Sequence, residues 1–185
     1  MNFKNKNFSQ FGKTGLTFFR LEVGTASLAG VNMVNAAHYT RPTDSEIKKF
    51  IEFALEIINA SETNMLMVDT SSQYGESEYR LGRFINKHPN ALKKMYISTK
   101  WGLKFKPEDF CVQDYSLKNL NASLETSLKH LRKIDLLYIH TNPGTSPEQL
   151  NTIFKSSLFG EFVSFIKFVY VLINDHLITL PEIKL

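Results

Sequence analysis

Two hydrophobic rhythms alternate along this chain. Behind Thr43-Asp44-Ser45-Glu46, the residues Ile47, Phe50, Ile51, Ala54, Leu55 and Ile58 recur at three- and four-residue spacing. This predicts an amphipathic helix whose first turn is closed by a capping box from Thr43 to Glu46. Glu76 to Lys87 predicts a second helix, with Tyr79, Leu81, Phe84 and Ile85 as its apolar residues. Leu117, Leu120, Leu124, Leu128 and Leu131 predict a third, capped by Ser116 and using the leucine stripe as a core face; Pro147 to Lys155 predicts a fourth, opened by Ser146. Between the helices lie short, mostly apolar runs: Met65 to Val68 into Asp69, Met95 to Thr99 into Lys100, and Ile134 to Ile139 into His140. Upstream, Gly12-Lys13-Thr14-Gly15 sits between strand-favouring residues and predicts a hairpin, with a strand near Leu21 to Gly24 after it.

Such alternation implies a parallel sheet with helical crossovers. The Val, Ile, Leu and Met content of the runs fits strands buried on both faces. Open doubly wound sheets and closed (β/α)8 barrels both satisfy the pattern. Gly24 stands alone where a dinucleotide fold of the Rossmann kind would carry Gly-x-Gly-x-x-Gly, which counts against that alternative.

Strand ends in parallel sheets form one rim, where such folds keep their chemistry. Here the rim would carry Asp69, Lys100 and His140, with Tyr74 one tight loop beyond Asp69. A phenol, with an ordinary pKa of about 10, is a poor proton donor near neutrality; an adjacent ammonium favours the phenolate and lowers that value. A carboxylate beside the lysine keeps the cation charged and in place, and a histidine across the site can orient a carbonyl. The package suits reduction of an aldehyde or ketone, and because no side chain supplies a hydride it implies a nicotinamide cofactor.

Composition narrows the alternatives. The 185 residues, 43% apolar and 22% charged, fit one globular domain and exclude disordered, collagenous and coiled-coil classes. The net charge of +4 is scattered, with no run of basic residues and no aromatic-basic interleaving, so no nucleic-acid partner is expected. His38, His88, His130 and His176 lack metal-ligand spacing, so no metal is expected. Cys111, the single cysteine, has no disulfide partner and no basic neighbour in sequence. Met1 to Gln10 has no apolar core of signal-peptide length, and the expected location is cytoplasmic. Trp101 has two readings, a pocket border or packing at the mouth of the sheet.

Val68-Asp69-Thr70-Ser71-Ser72-Gln73-Tyr74-Gly75-Glu76-Ser77-Glu78 resembles the aldo-keto reductase signature: an Asp-Thr, a Tyr-Gly and a Ser-Glu at this spacing. Ile97-Ser98-Thr99-Lys100 is similar to that family's lysine strand, and Ser123 to Leu131 followed by Ile134 to His140 to its helix and histidine strand. Gly12 to Leu16 and Gly24-Thr25-Ala26 are similar to its bottom hairpin and first strand end. The resemblance covers about residues 8–165 and implies a TIM-type (β/α)8 barrel that reduces small aldehydes and ketones with NADPH. It implies Tyr74 as general acid, Lys100 and Asp69 as the pair that tunes it, and His140 as the group that positions the carbonyl. It also implies Gly24, Thr25, Ala26 and Asp69 near the nicotinamide end of the cofactor.

The chain also departs from that pattern. A full barrel takes eight strand-helix units over about 250 residues, and the first four units plus the N-terminal hairpin are recognisable here. Lys167-Phe168-Val169-Tyr170 stands where the family's Ser-Asn pair would follow, Val171 to Leu185 has no family likeness, and the link from Leu131 to Ile134 is shorter than usual. The expectation is a single domain over residues 1–185, truncated relative to the family, with 166–185 a divergent tail. A catalytically inactive remnant, or a regulatory or binding subunit on the same fold, is the alternative to a working reductase. Phe162 to Ile173 has the composition of an aggregation-prone edge strand. Self-association through exposed sheet edges follows from that composition; a membrane anchor is not expected.

Overall fold

The computed structural model describes residues 8–10, 17–19, 22–29, 42–59, 65–106, 110–140, 168–173 and 176–179. Strands β1 (Phe8–Gln10) and β2 (Thr17–Phe19) pair antiparallel as the expected hairpin. β3 (Glu22–Gly24) leads through a 3-10 turn at Ala26–Leu28 towards α1 (Asp44–Asn59). The capping box forms: Thr43 N donates to Glu46 Oε2 at 2.7 Å, and Glu46 N donates back to Thr43 Oγ1 at 3.2 Å. β4 (Leu66–Asp69), α2 (Ser77–Lys87), β5 (Met95–Trp101), α4 (Leu117–Leu131) and β8 (Leu136–Ile139) follow in the expected order. Ser116 caps α4 by accepting from Asn119 N at 3.2 Å.

Elements that the hydrophobic pattern does not show are the one-turn α3 (Pro89–Leu92) and the hairpin of β6 (Leu103–Lys106) and β7 (Phe110–Gln113). The hairpin exists because Gly102, at φ +111°, turns the chain out of β5, and its carbonyl accepts from Asp114 N at 2.9 Å. At the other end, β9 (Phe168–Ile173) runs parallel to β8, and β10 (His176–Thr179) pairs antiparallel on its outer side. Phe168 to Ile173 is therefore an inner strand, and β10 takes the edge. The Pro143-Gly144 turn, the helix expected at Pro147 to Lys155 and His38 lie outside the described residues.

The main sheet has the order β10-β9-β8-β5-β4-β3, parallel from β9 to β3. Strand parity sorts its two faces. Val23, Leu66, Val68, Met95 and Ile97 join Ile47, Ile51 and Ala54 of α1, Leu81, Phe84 and Ile85 of α2 and Leu131 of α4 in the main core. The opposite face carries Glu22, Gly24, Met67, Asp69, Tyr96, Ser98, Lys100, Leu136, Tyr138 and His140, a smaller cluster of Met67 and Leu136 packed by Tyr96 and Tyr138. Phe50 and Tyr79, read above as apolar-face residues, are each 50% exposed. Phe50 sits at the margin of the α1 stripe, and the Tyr79 ring lies along the surface with the Arg83 guanidinium 5.9 Å from its centre.

The short link into β8 is made by Arg132 in the left-handed region, φ 68°, its N–H donating to Leu128 O at 2.9 Å. Buried Asp135 then sets the register. Its N–H donates to Ile97 O at 2.8 Å, and its Oδ2 accepts from Ile97 N at 2.9 Å and from Lys133 Nζ at 2.9 Å. Among the described residues no helix is long and apolar enough to cross a membrane.

Candidate active site

The site is assembled at the C-terminal ends of β3, β4, β5 and β8. Register places Gly24 opposite Asp69 and Asp69 opposite Ser98, and His140 N donates to Trp101 O at 2.8 Å, so His140 joins the same rim. The Asp69 backbone carbonyl is pinned from β3: Thr25 donates to it through both its N–H and its Oγ1, each at 2.9 Å. Ser77 at the start of α2 donates to Thr25 O at 2.8 Å, which ties helix to strand beneath the rim. Thr25 is 1% exposed, so its contribution is to place Asp69 rather than to meet a ligand.

Asp69 divides its carboxylate between two partners. Oδ1 accepts from Ser98 Oγ at 2.9 Å, and Oδ2 pairs with the Lys100 ammonium, which also donates to Thr70 O at 3.0 Å. Both charges are mostly covered, with 14% of the lysine and 22% of the aspartate side chain exposed, so the attraction is screened less than that of a surface pair. Lys100 Nζ lies 4.8 Å from the centre of the Tyr74 ring, and the Tyr74 and His140 rings meet edge to face at 5.5 Å. The four residues singled out from the sequence therefore stand together.

Tyr74 is held by its loop. Its N–H donates to Ser71 O at 3.0 Å and its carbonyl accepts from Ser77 N at 2.9 Å. Gly75, at φ +50°, follows; a Cβ there would lie 2.7 Å from Ala29 O, the atom that accepts from Glu76 N at 3.0 Å. Only glycine lets the loop settle on the 3-10 turn this closely.

The His140 imidazole is pushed down to about 4, first by burial and then by the Lys100 charge, with Asp69 opposing. It is neutral at physiological pH, with one N–H to donate and one lone pair. Its Nδ1 is buried without a hydrogen-bond partner, an orphan atom in a site otherwise closely satisfied.

Three neighbours were not foreseen. Ser98 is the second partner of Asp69. Glu22 shares the face of Asp69 and Lys100; partial desolvation and then Asp69 push its carboxyl up, with Lys100 opposing. Glu78 lies buried behind the lysine strand. Period-two parity puts Ser98 and Glu22 on the face of the rim residues, each two positions from one of them, but does not name their partners. Trp101 is fully buried and packs edge-on against Tyr115 at 5.7 Å, which makes it a packing residue. Cys111 lies in β7, and no group of three or more potential metal ligands occurs among the described residues.

A family model described as the aldo/keto reductase family matches residues 20–170. The chain belongs to that family. Its fold is likewise that of solved family members. It superposes with TM-score 0.65 and 23% identity on a Pseudomonas aeruginosa protein titled an aldo-keto reductase, covering 90% of this chain and 59% of that one. An aldo-keto reductase from Bacillus halodurans, in its holo form, gives 0.65 and 19% identity over 89% of this chain and 49% of its own. The glycerol dehydrogenase of Gluconobacter oxydans gives 0.64 and 22% over 89% and 48%. The architecture is thus part of a TIM-type α/β barrel, and the chain spans between 48% and 59% of the length of these three proteins. No curated protein matches it.

Proposed function

We propose that this chain carries the proton-handling half of a carbonyl reductase that reduces small aldehydes or ketones with NADPH. The observation that carries the reading is the Tyr74 ring approached by both the Lys100 ammonium and the His140 imidazole, with Lys100 anchored on Asp69. A substrate carbonyl oxygen at the rim meets the phenol hydroxyl as its proton donor. Neutral His140 offers an N–H without adding a competing acid, and orients the same oxygen. Lys100 favours the phenolate left after proton transfer, and Asp69 with Thr70 O keeps the ammonium from drifting off.

The rim fits a nicotinamide ring in two respects: the orphan His140 Nδ1, and Gly24, where no atom stands within 4 Å of the place a Cβ would occupy. Gly24, Ala26 and Asp69 would border that ring. When bound, the cofactor supplies the hydride that reaches the carbonyl carbon.

NADPH oxidation measured with a panel of aldehydes, against a Tyr74→Phe control, tests the proposal. Turnover that disappears in Tyr74→Phe supports it. No turnover above the control, together with no quenching of Trp101 emission by added NADPH, would leave the family fold serving as an inactive remnant or a binding subunit.

A further inference from the structure

Glu78 enters the fold directly after the tyrosine loop and finishes behind the lysine strand. It is 2% exposed. Its Oε1 accepts from Thr99 Oγ1 at 2.8 Å and from Ser127 Oγ at 3.0 Å, joining α2 to β5 and α4 at the residue that precedes Lys100. Each hydroxyl has one proton, and both are spent on Oε1, although the hydroxyls themselves lie 3.2 Å apart. The other oxygen, Oε2, is buried and has no hydrogen-bond partner. An ionised carboxylate would therefore place charge on an oxygen that no donor reaches, the more expensive of the two states.

We infer that Glu78 is a positioning residue for Lys100: neutral, it clamps the strand beside the lysine through Thr99 and Ser127, and ionised, it adds a negative charge behind that strand, which the ammonium on the other face senses through the sheet. Its catalytic consequence rests on the reductase reading; its existence does not. Burial pushes the Glu78 carboxyl up to about 7, while the Thr99 and Ser127 hydroxyls and then Lys100 pull it down, so the change falls near neutrality. On the Thr99 face β5 turns no charged side chain towards it; the nearest charge on that strand is Lys100, which stands on the other face and acts through the sheet. From α4 it meets Ser127, while Lys118, Glu125 and Lys129 of that helix are exposed and His130 lies against Tyr79. Arg80 on its own helix is taken up by Leu28 O, Pro42 O and Asp44, and Asp69 of β4 by Lys100.

Trp101 makes the state readable without substrate or cofactor. It is the single tryptophan, fully buried, and on the same face of β5 as Thr99. Emission followed from about pH 5.5 to 8.5 should change with a midpoint near 7 in the native protein. The change should vanish in Glu78→Gln, which keeps the shape and the accepting oxygen. Ser127→Ala removes a donor to the carboxyl and should move the midpoint upward; this shift carries the test if Glu78→Gln does not fold. The 13Cε resonance of Lys100, identified by Lys100→Arg, should follow the same transition in the native protein. The inference is overturned by an unchanged transition in Glu78→Gln, by an unmoved midpoint in Ser127→Ala, or by a Lys100 resonance indifferent to it. A failed reductase assay alters none of these readings.

Discussion

Asp69, Tyr74, Lys100 and His140 are chemically conspicuous because each closes or follows an apolar run, so their roles could be read before their contacts. Ser98 could not. It stands inside a run, where a serine reads as filler, and it acquires meaning only when β5 is aligned with β4 so that its hydroxyl meets Asp69 Oδ1. Register is a long-range property, and one sequence does not encode it visibly. The two kinds of residue should differ in consequence. Lys100→Met leaves Asp69 with Ser98 alone and takes the cation from the Tyr74 ring, so kcat/KM for an aldehyde should fall by about 10²–10⁴, the range of a general acid-base contribution. Ser98→Ala keeps the ion pair and loses one bond to a charged group, and should cost roughly tenfold, equivalent to ~1.4 kcal/mol. Steady-state kinetics on both variants, with folding checked by circular dichroism, decides the order. A Ser98→Ala effect as large as that of Lys100→Met would mean that Asp69, rather than the lysine, is the critical placement.

At the scale of elements, the hydrophobic pattern located α1, α2, α4 and the strands β3, β4, β5 and β8, since each buries one stripe or two faces in a common core; the same pattern reads β9, which also runs parallel, as an edge. What it missed came from local geometry: Gly102 turning the chain into the β6–β7 hairpin, and Arg132 shortening the approach to β8. It also missed how closely α2 and α4 approach. At Gly82 a Cβ would stand 2.3 Å from the backbone oxygen of His130, so the helices touch through a missing side chain. Gly82→Ala must push α4 away, and with it Ser127, and should destabilise the fold by roughly 1–3 kcal/mol in urea unfolding, against the small gain alanine usually brings to a helix interior. Ser116→Ala, which removes the cap of α4 without touching the interface, should cost about 1 kcal/mol. An unchanged urea midpoint for Gly82→Ala would show that the two helices can separate freely.

Across the described residues, buried Glu78 and half-buried His140, on opposite sides of the sheet, push the response to pH in opposite directions. His140, pushed down to about 4 from an unfolded value of 6.5, contributes stability that is complete above 6.5 and is lost as pH falls through 4. Glu78, pushed up to about 7 from 4.5, contributes stability that is complete below 4.5 and is lost as pH rises through 7. Each fully expressed slope is ~1.4 kcal/mol per pH unit. Where both apply, between 4.5 and 6.5, they cancel to first order, so these two groups leave the native protein's stability nearly flat. Removing either exposes the other. Urea unfolding of Glu78→Gln across that window should show stability rising with pH, and of His140→Gln stability falling with pH. Slopes contributed by exposed carboxylates such as Asp44, which the Arg80 bond holds low, are common to both variants and drop out of their difference. Two variants with parallel pH curves would mean that both groups keep an ordinary proton affinity in the folded chain, and that the burial seen around them does not govern their charge.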